Sequence, residues 1–252
     1  MNKILNRVPK VTIDFWIIKV LATTVGETAA DFLSVTLNLG LSVTSYIMSS
    51  LLLIALLNQF RLKRYVPASY WFVVVLTSIV GTLITDKLVD DFGVSLVTTT
   101  IVFSVALSVV FVIWYLNEKT LAMHSIHTAK RELFYWAAIL FTFALGTSTG
   151  DLLAEASGLG YAQSGLVFGA LIAMITIGYY YFRVNEVLAF WIAYILTRPL
   201  GASIGDLLSQ PVKEGGLGFG TTGTSITFLS IILILIIYLS FKQKKPAFLT
   251  DD

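Results

Sequence analysis

Asp31, Asp86, Asp151 and Asp206 recur at one place in a repeated pattern, and that place is inside stretches that are otherwise apolar. The copies read Phe15-Trp16…Gly26…Asp31, Tyr70-Trp71…Gly81…Asp86, Tyr135-Trp136…Gly146…Asp151 and Phe190-Trp191…Gly201…Asp206. A carboxylate at the centre of a membrane-spanning helix costs roughly 2.5 to 3.5 kcal/mol on insertion scales and usually faces a cavity. Residues three and four before each aspartate share its helix face. Those positions hold Glu27 and Thr28 before Asp31, Thr82 before Asp86, Thr147 and Ser148 before Asp151, and Ser203 before Asp206. Each copy thus offers a carboxylate with nearby hydroxyls, or a second carboxylate in the first copy. Oxygen ligands without cysteine suit hard ions such as Mg²⁺, Ca²⁺, Mn²⁺, Na⁺ or H⁺ rather than Zn²⁺ or copper. Asp31, Asp151 and Asp206 are the expected metal ligands, and Glu27 with Asp31 the expected site where two carboxylates share protons. A plainer reading makes each aspartate the end of its helix, bonded to the turn that follows.

Two basic residues break the repeat. Lys19 takes the place held by Val74, Ile139 and Tyr194, and Arg198 that of Thr23, Ser78 and Phe143, just before Pro199. Both are expected to need acidic partners, with snorkelling to the interface as the alternative for Lys19 and substrate contact as the alternative for Arg198. Four aspartates and Glu27 against these two bases leave a net negative interior, which favours a cation. His124 and His127 are the only histidines. They are expected to be surface residues of a loop.

The elements that must carry these residues follow from composition. A chain of 252 residues with 56% hydrophobic and 13% charged residues and a mean hydropathy of +0.83 is too apolar for a soluble domain. A hydrocarbon core of ~30 Å takes about 20 helical residues. Eight segments fit, near 13–33, 40–60, 69–89, 94–116, 132–154, 160–182, 188–209 and 219–241. The apolar runs are continuous rather than alternating, so helices are expected, not a barrel. The fold class is all-α: one transmembrane domain over 1–252, built of four two-helix repeats at 13–60, 69–116, 132–182 and 188–241. A loop over 117–131 joins the halves, and a loose tail covers 242–252. Two helices per repeat return the chain to the same side, so the repeats are parallel and pseudo-symmetric about an axis along the membrane normal. The second helices open at Leu39-Gly40, Phe92-Gly93, Leu159-Gly160 and Leu217-Gly218.

Within the first helices small or hydroxyl residues recur every four positions, as in Ala22/Gly26/Ala30 and Thr197/Gly201/Gly205. Such stripes let helix backbones approach closely in a membrane. The repeated glycines are read as packing devices, and the four odd-numbered helices as an inner bundle. All five tryptophans are expected at the interface as anchors. Basic residues gather on one side, at Lys3, Arg7, Lys10, Arg61, Lys63, Arg64, Lys119, Lys130, Arg131, Arg183, Lys242, Lys244 and Lys245, against Lys87 and Lys213 on the other. That bias places both termini in the cytoplasm. The first apolar segment carries Lys19, Glu27 and Asp31, unlike a cleavable signal, and is expected to stay in the mature chain.

The net charge of +2 reflects this topology, and no nucleic-acid partner or cofactor is expected. No nucleotide-binding loop provides for a self-powered pump, and no nucleophile with a matched base points to an enzyme. The pattern Trp136…Gly146-Thr147-Ser148-Thr149-Gly150-Asp151-Leu152-Leu153, with Trp191…Gly201-Ala202-Ser203-Ile204-Gly205-Asp206-Leu207-Leu208, resembles a bacterial membrane family. That family is catalogued as a "repeat of unknown function" with four tandem two-helix units. The resemblance implies the fold and a place in the bacterial inner membrane. The first two copies depart from it, with Ala30 and Thr85 where the glycine precedes aspartate. The expected activity is proton-coupled secondary transport, as an exporter of a hard inorganic cation. The alternatives are a non-transporting membrane scaffold or partner subunit, and a carrier of a small organic cation using Tyr161, Tyr179 and Tyr194.

Overall fold

The computed structural model describes residues 6–244. Regular structure among them is helical, with eight long helices: α1 Ile13–Asp31, α2 Gly40–Arg61, α3 Pro67–Asp86, α4 Leu96–Glu118, α5 Ala129–Asp151, α6 Tyr161–Phe182, α7 Glu186–Ser209 and α8 Gly220–Lys244. The 7 helices from α2 to α8 are long and apolar enough to cross a membrane. α1 is not among them, because Asp14, Lys19, Glu27 and Asp31 all fall within it.

Helix starts follow local chemistry. The Thr128 hydroxyl accepts from Arg131 N at 3.2 Å, which begins α5 at Ala129, ahead of the expected 132, and shortens the central loop. Thr12, Ser95 and Asn185 cap α1, α4 and α7 in the same way, and Pro67 opens α3, where its missing N–H costs nothing. α8 extends through Lys244, so the expected loose tail is helical at its first residues. Residues 245–252 lie outside the described residues, as does Lys3.

Helix ends carry the aspartates. Asp31, Asp86 and Asp151 are the last α-helical residues of α1, α3 and α5, and after each the chain widens into a five-residue π turn: Phe32–Thr36, Lys87–Asp91 and Leu152–Ala156. In these turns Leu37 N donates to Phe32 O at 2.8 Å and Ser157 N to Leu152 O at 3.0 Å. Gly40 and Gly160 then take φ of +72° and +81°, a region that glycine enters without a Cβ clash. The fourth copy differs: Asp206 lies within α7, which runs on to Ser209 and stops before Pro211.

The four odd helices close a ring in which α1 packs on α3, α3 on α5, α5 on α7, and α7 back on α1. The even helices lie outside it, α2 against α3, α4 against α5, α6 against α7 and α8 against α1. Each repeat is a hairpin in connectivity, but its second helix packs chiefly on the first helix of the next repeat. In the first three repeats the widened turn lies between the two arms, and the fourth shows the same offset without one. Burial follows the same division: 61% of the spanning window is buried in α3, α5 and α7, against 6% in α6. Outward faces are apolar, as at Leu53, Ile54, Leu166 and Ile234.

At the end where the odd helices begin, aromatic residues fill the ring. Phe15 packs against Trp71, Phe190 and Tyr194, and the Tyr70 and Tyr135 hydroxyls hydrogen-bond across α3 and α5. Trp71, Trp114, Trp136 and Trp191 are buried inside this layer. This corrects the interfacial reading of the tryptophans: only Trp16 keeps partial exposure. Their rings pack across helix boundaries, where they bury more surface than at a rim.

Candidate functional site

The repeated glycines set the distance between inner helices. A Cβ built on Gly26 would lie 2.6 Å from Ser78 Cβ, on Gly81 2.6 Å from Phe143 Cβ, on Gly146 2.5 Å from Arg198 Cβ, and on Gly201 2.6 Å from Thr23 Cβ. Thr23, Ser78, Phe143 and Arg198 are equivalent positions of the four copies. Each inner helix therefore seats the knob of the next helix in its glycine, around the whole ring. Three knobs are small or apolar, and the fourth is arginine.

Seated against Gly146, Arg198 turns its fully buried guanidinium into the ring. Nη2 donates to Glu27 Oε2 at 2.8 Å and to Thr147 Oγ1 at 2.7 Å, and also to Thr82 Oγ1. Nη1 donates to the Thr23 carbonyl at 2.7 Å, and Nε to the Phe143 carbonyl at 3.4 Å. α1, α3 and α5 supply this cage and α7 supplies the cation, so all four repeats meet here. Glu27 itself is only 6% exposed. A buried ion pair is tolerated when further hydrogen bonds satisfy both partners, and the hydroxyls and carbonyls provide them.

One layer nearer the aromatic end sits Lys19. Its Nζ lies 4.1 Å from the centre of the Phe143 ring and 4.2 Å from that of Tyr194. The residue is fully buried and Nζ has no hydrogen-bond partner among the described residues. The expected acidic partner and the expected route to the interface are both replaced by two aromatic faces. Cation–π attraction supplies part of the lost hydration, about 2 kcal/mol or more per ring when desolvated.

The aspartates lie at the opposite end of the inner helices. They follow the ring in helix order, and Asp31, Asp86, Asp151 and Asp206 all stand within Coulombic reach of Glu27. Asp206 is buried and the other three are half-buried. Asp31 Oδ2 accepts from Gln210 Nε2 at 3.2 Å. Among the described residues no three His, Cys, Asp or Glu side chains are grouped to hold a metal ion. Asp31, Asp151 and Asp206, the expected metal ligands, do not form such a group, although Asp206 stands within Coulombic reach of both Asp151 and Asp31. The hydroxyls divide as well. Thr147 joins the Arg198 cage, whereas Thr28 accepts from Ser225 of α8 at 2.8 Å, and Ser148 bonds its own helix at Leu145 O at 3.1 Å. Ser203 is buried without a hydrogen-bond partner among the described residues. His124 is exposed and His127 half-buried in the central loop.

Sequence reasoning paired Arg198 with an acid and missed the two carbonyls of its cage. The available signal was the knob position itself: a residue facing a glycine on the next helix sits close to that helix's backbone.

The chain finds no match among curated proteins and none among solved structures. A family model matches four times, over residues 15–65, 69–120, 134–185 and 189–245, and each match covers one copy of the pattern and its two helices. With most of the chain covered by that repeated match, the protein belongs to the family described as Repeat of Unknown Function (DUF347).

Proposed function

We propose that the chain is a multi-pass protein of the bacterial inner membrane with both termini in the cytoplasm, and that it exports a hard inorganic cation in exchange for protons. On this reading α1 spans with the other seven helices, the repeats are related by a pseudo-symmetry axis along the membrane normal, and lipid covers the even helices. The observation that supports transport is the Arg198 cage. A carboxylate, two threonine hydroxyls and two carbonyls form an oxygen set suited to a hard cation, and here a tethered cation fills it. A free cation reaching Glu27 competes with Arg198 for the same oxygens, and protonation of Glu27 releases both. The aspartates at the other end supply an acidic mouth that concentrates cations.

Cation flux into proteoliposomes tests this, with Mn²⁺, Mg²⁺, Ca²⁺, Na⁺ and K⁺ assayed with and without a proton gradient, for the parent and for Asp31→Asn, Asp151→Asn and Glu27→Gln. Gradient-dependent flux of one cation that is lost in Glu27→Gln and reduced in the aspartate variants is expected. No flux of any cation, with variants that are merely less stable, contradicts it. That outcome favours the scaffold reading, which draws on the glycine-seated knobs and on the many hydrogen bonds of Arg198.

A further inference from the structure

The segment ahead of α1 crosses the aromatic end of the ring and is tied to two loops there. Tyr65 N donates to Asn6 O at 3.0 Å, Arg7 N to Ile126 O at 2.9 Å, and Asn6 Nδ2 to Met123 O at 3.0 Å. Val8 and Pro9 are buried against the bundle, whereas Lys10, Val11 and Thr12 are exposed. No regular structure forms between residues 6 and 12.

From this segment Arg7 reaches the foot of α5. Its Nη1 donates to Glu132 Oε2 at 2.8 Å and to Phe60 O at 3.3 Å. Glu132 is fully buried, and its Oε1 accepts from Gln59 Nε2 at 3.0 Å and from Trp136 Nε1 at 3.4 Å. Gln59 in turn accepts from Ser69 Oγ at 2.7 Å. Ser69 precedes Tyr70, whose hydroxyl meets Tyr135 across the ring. A continuous run of hydrogen bonds therefore leads from Arg7 to the foot of α3, beneath the aromatic layer.

Arg7 is the one cation paired with Glu132 among the described residues. Gln59 and Trp136 are neutral donors, and a buried carboxylate held by neutral donors alone is poorly compensated. The compensating charge comes from a segment outside the helices, held by Val8, Pro9 and a few hydrogen bonds to two loops, and segments outside regular structure open at lower free energy than the helices they cover.

We propose that residues 6–12 are a latch that holds the aromatic end of the ring closed, with Arg7–Glu132 as its bolt. When Arg7 leaves, Glu132 and the foot of α5 lose their anchor, Tyr135 parts from Tyr70, and the interior opens toward Lys19 and Arg198. The latch rests on reading the ring interior as a pathway, and it is tested separately from cation flux.

The chain has no cysteine, so one introduced thiol reports alone. Ile139→Cys replaces a fully buried α5 residue at the repeat position equivalent to Lys19. The rate of labelling by a charged, hydrophilic maleimide is measured on the full chain in lipid nanodiscs, where both faces are open to reagent. Arg7→Ala is expected to raise the rate at least about tenfold, because the local opening equilibrium governs access. Arg7→Lys, which keeps the charge, is expected to raise it less. Arg7→Ala strands a buried carboxylate, so Arg7→Ala/Glu132→Gln is the second variant, removing the bolt without stranding a charge, and the same acceleration is expected. A rate unchanged in the folded double variant overturns the latch. An equal rise at Ala30→Cys, buried at the aspartate end, also overturns it, because general loosening then explains the labelling. Absent flux with accelerated labelling at Ile139→Cys alone sinks the transport reading and leaves the latch standing.

Discussion

Arg198 and Glu27 carry the largest local consequence of any side chains in the interior. Removing one member of a buried ion pair leaves the other uncompensated, at roughly 3 to 5 kcal/mol. Glu27→Ala is therefore expected to lower unfolding free energy by about that amount in a detergent denaturation series, and a loss below ~1 kcal/mol would place the pair in a solvated site. Arg198→Lys is not conservative here, because a point-charge ammonium cannot span Glu27, Thr147 and the Thr23 carbonyl as the guanidinium fork does. It is expected to fall most of the way toward Arg198→Ala in the same assay. Much of this was legible: Arg198 stood out by interrupting a column of Thr23, Ser78 and Phe143, and Glu27 is an acid on an inner helix. The neighbours of Lys19 were not legible, because Phe143 and Tyr194 come from two other helices and aromatic faces leave no charge signal. The mutual placement of the aspartates was also hidden, since spacing along a helix does not give distances between helices.

At the scale of the helices the glycines decide geometry, and they do so unequally. A Cβ on Gly146 would overlap Arg198 Cβ at 2.5 Å, whereas a Cβ on Gly150 would meet Ala202 and Pro199 at an ordinary 3.6 Å. Gly146→Ala is expected to cost about 1 to 3 kcal/mol by overpacking, and Gly150→Ala under ~0.5 kcal/mol or to stabilise through helix propensity; comparable losses at both would contradict the seated-knob geometry. A swap tests pairing between helices directly. Gly201→Ala meets Thr23, and adding Thr23→Gly is expected to recover part of the loss, giving a coupling energy of roughly 0.5 to 3 kcal/mol in a double-mutant cycle. The four-residue stripe announced close approach, and the structure adds which residue enters each glycine. The π turns after Asp31, Asp86 and Asp151 had no such announcement, because a turn one residue wider leaves hydrophobic periodicity nearly unchanged.

For the whole molecule the repeat count, the helical class and the inner place of the odd helices follow from a pattern read four times. The closure of the ring by α7 and α8 on α1 does not, because nothing local to the first or last helix records a contact across most of the chain. Thr28 and Ser225 mark that closure, their hydroxyl oxygens 2.8 Å apart. Thr28→Cys/Ser225→Cys in this cysteine-free chain is expected to form an α1–α8 disulfide under mild oxidation, while Thr28→Cys/Ser148→Cys stays reduced; the reverse pattern would refute the ring order. The proposed transport rests on the closed ring's oxygen cage, which Arg198 occupies. Arg198→Met empties the cage, and its melting temperature is titrated with each of Mn²⁺, Mg²⁺, Ca²⁺ and Na⁺ beside Glu27→Gln/Arg198→Met. One cation is expected to raise the melting temperature of the single variant saturably, since a ligand bound only to the folded state stabilises it, and to leave the double variant unmoved. A single variant that no cation rescues, or a double variant rescued equally, would make the cage a structural clasp and not a cation site.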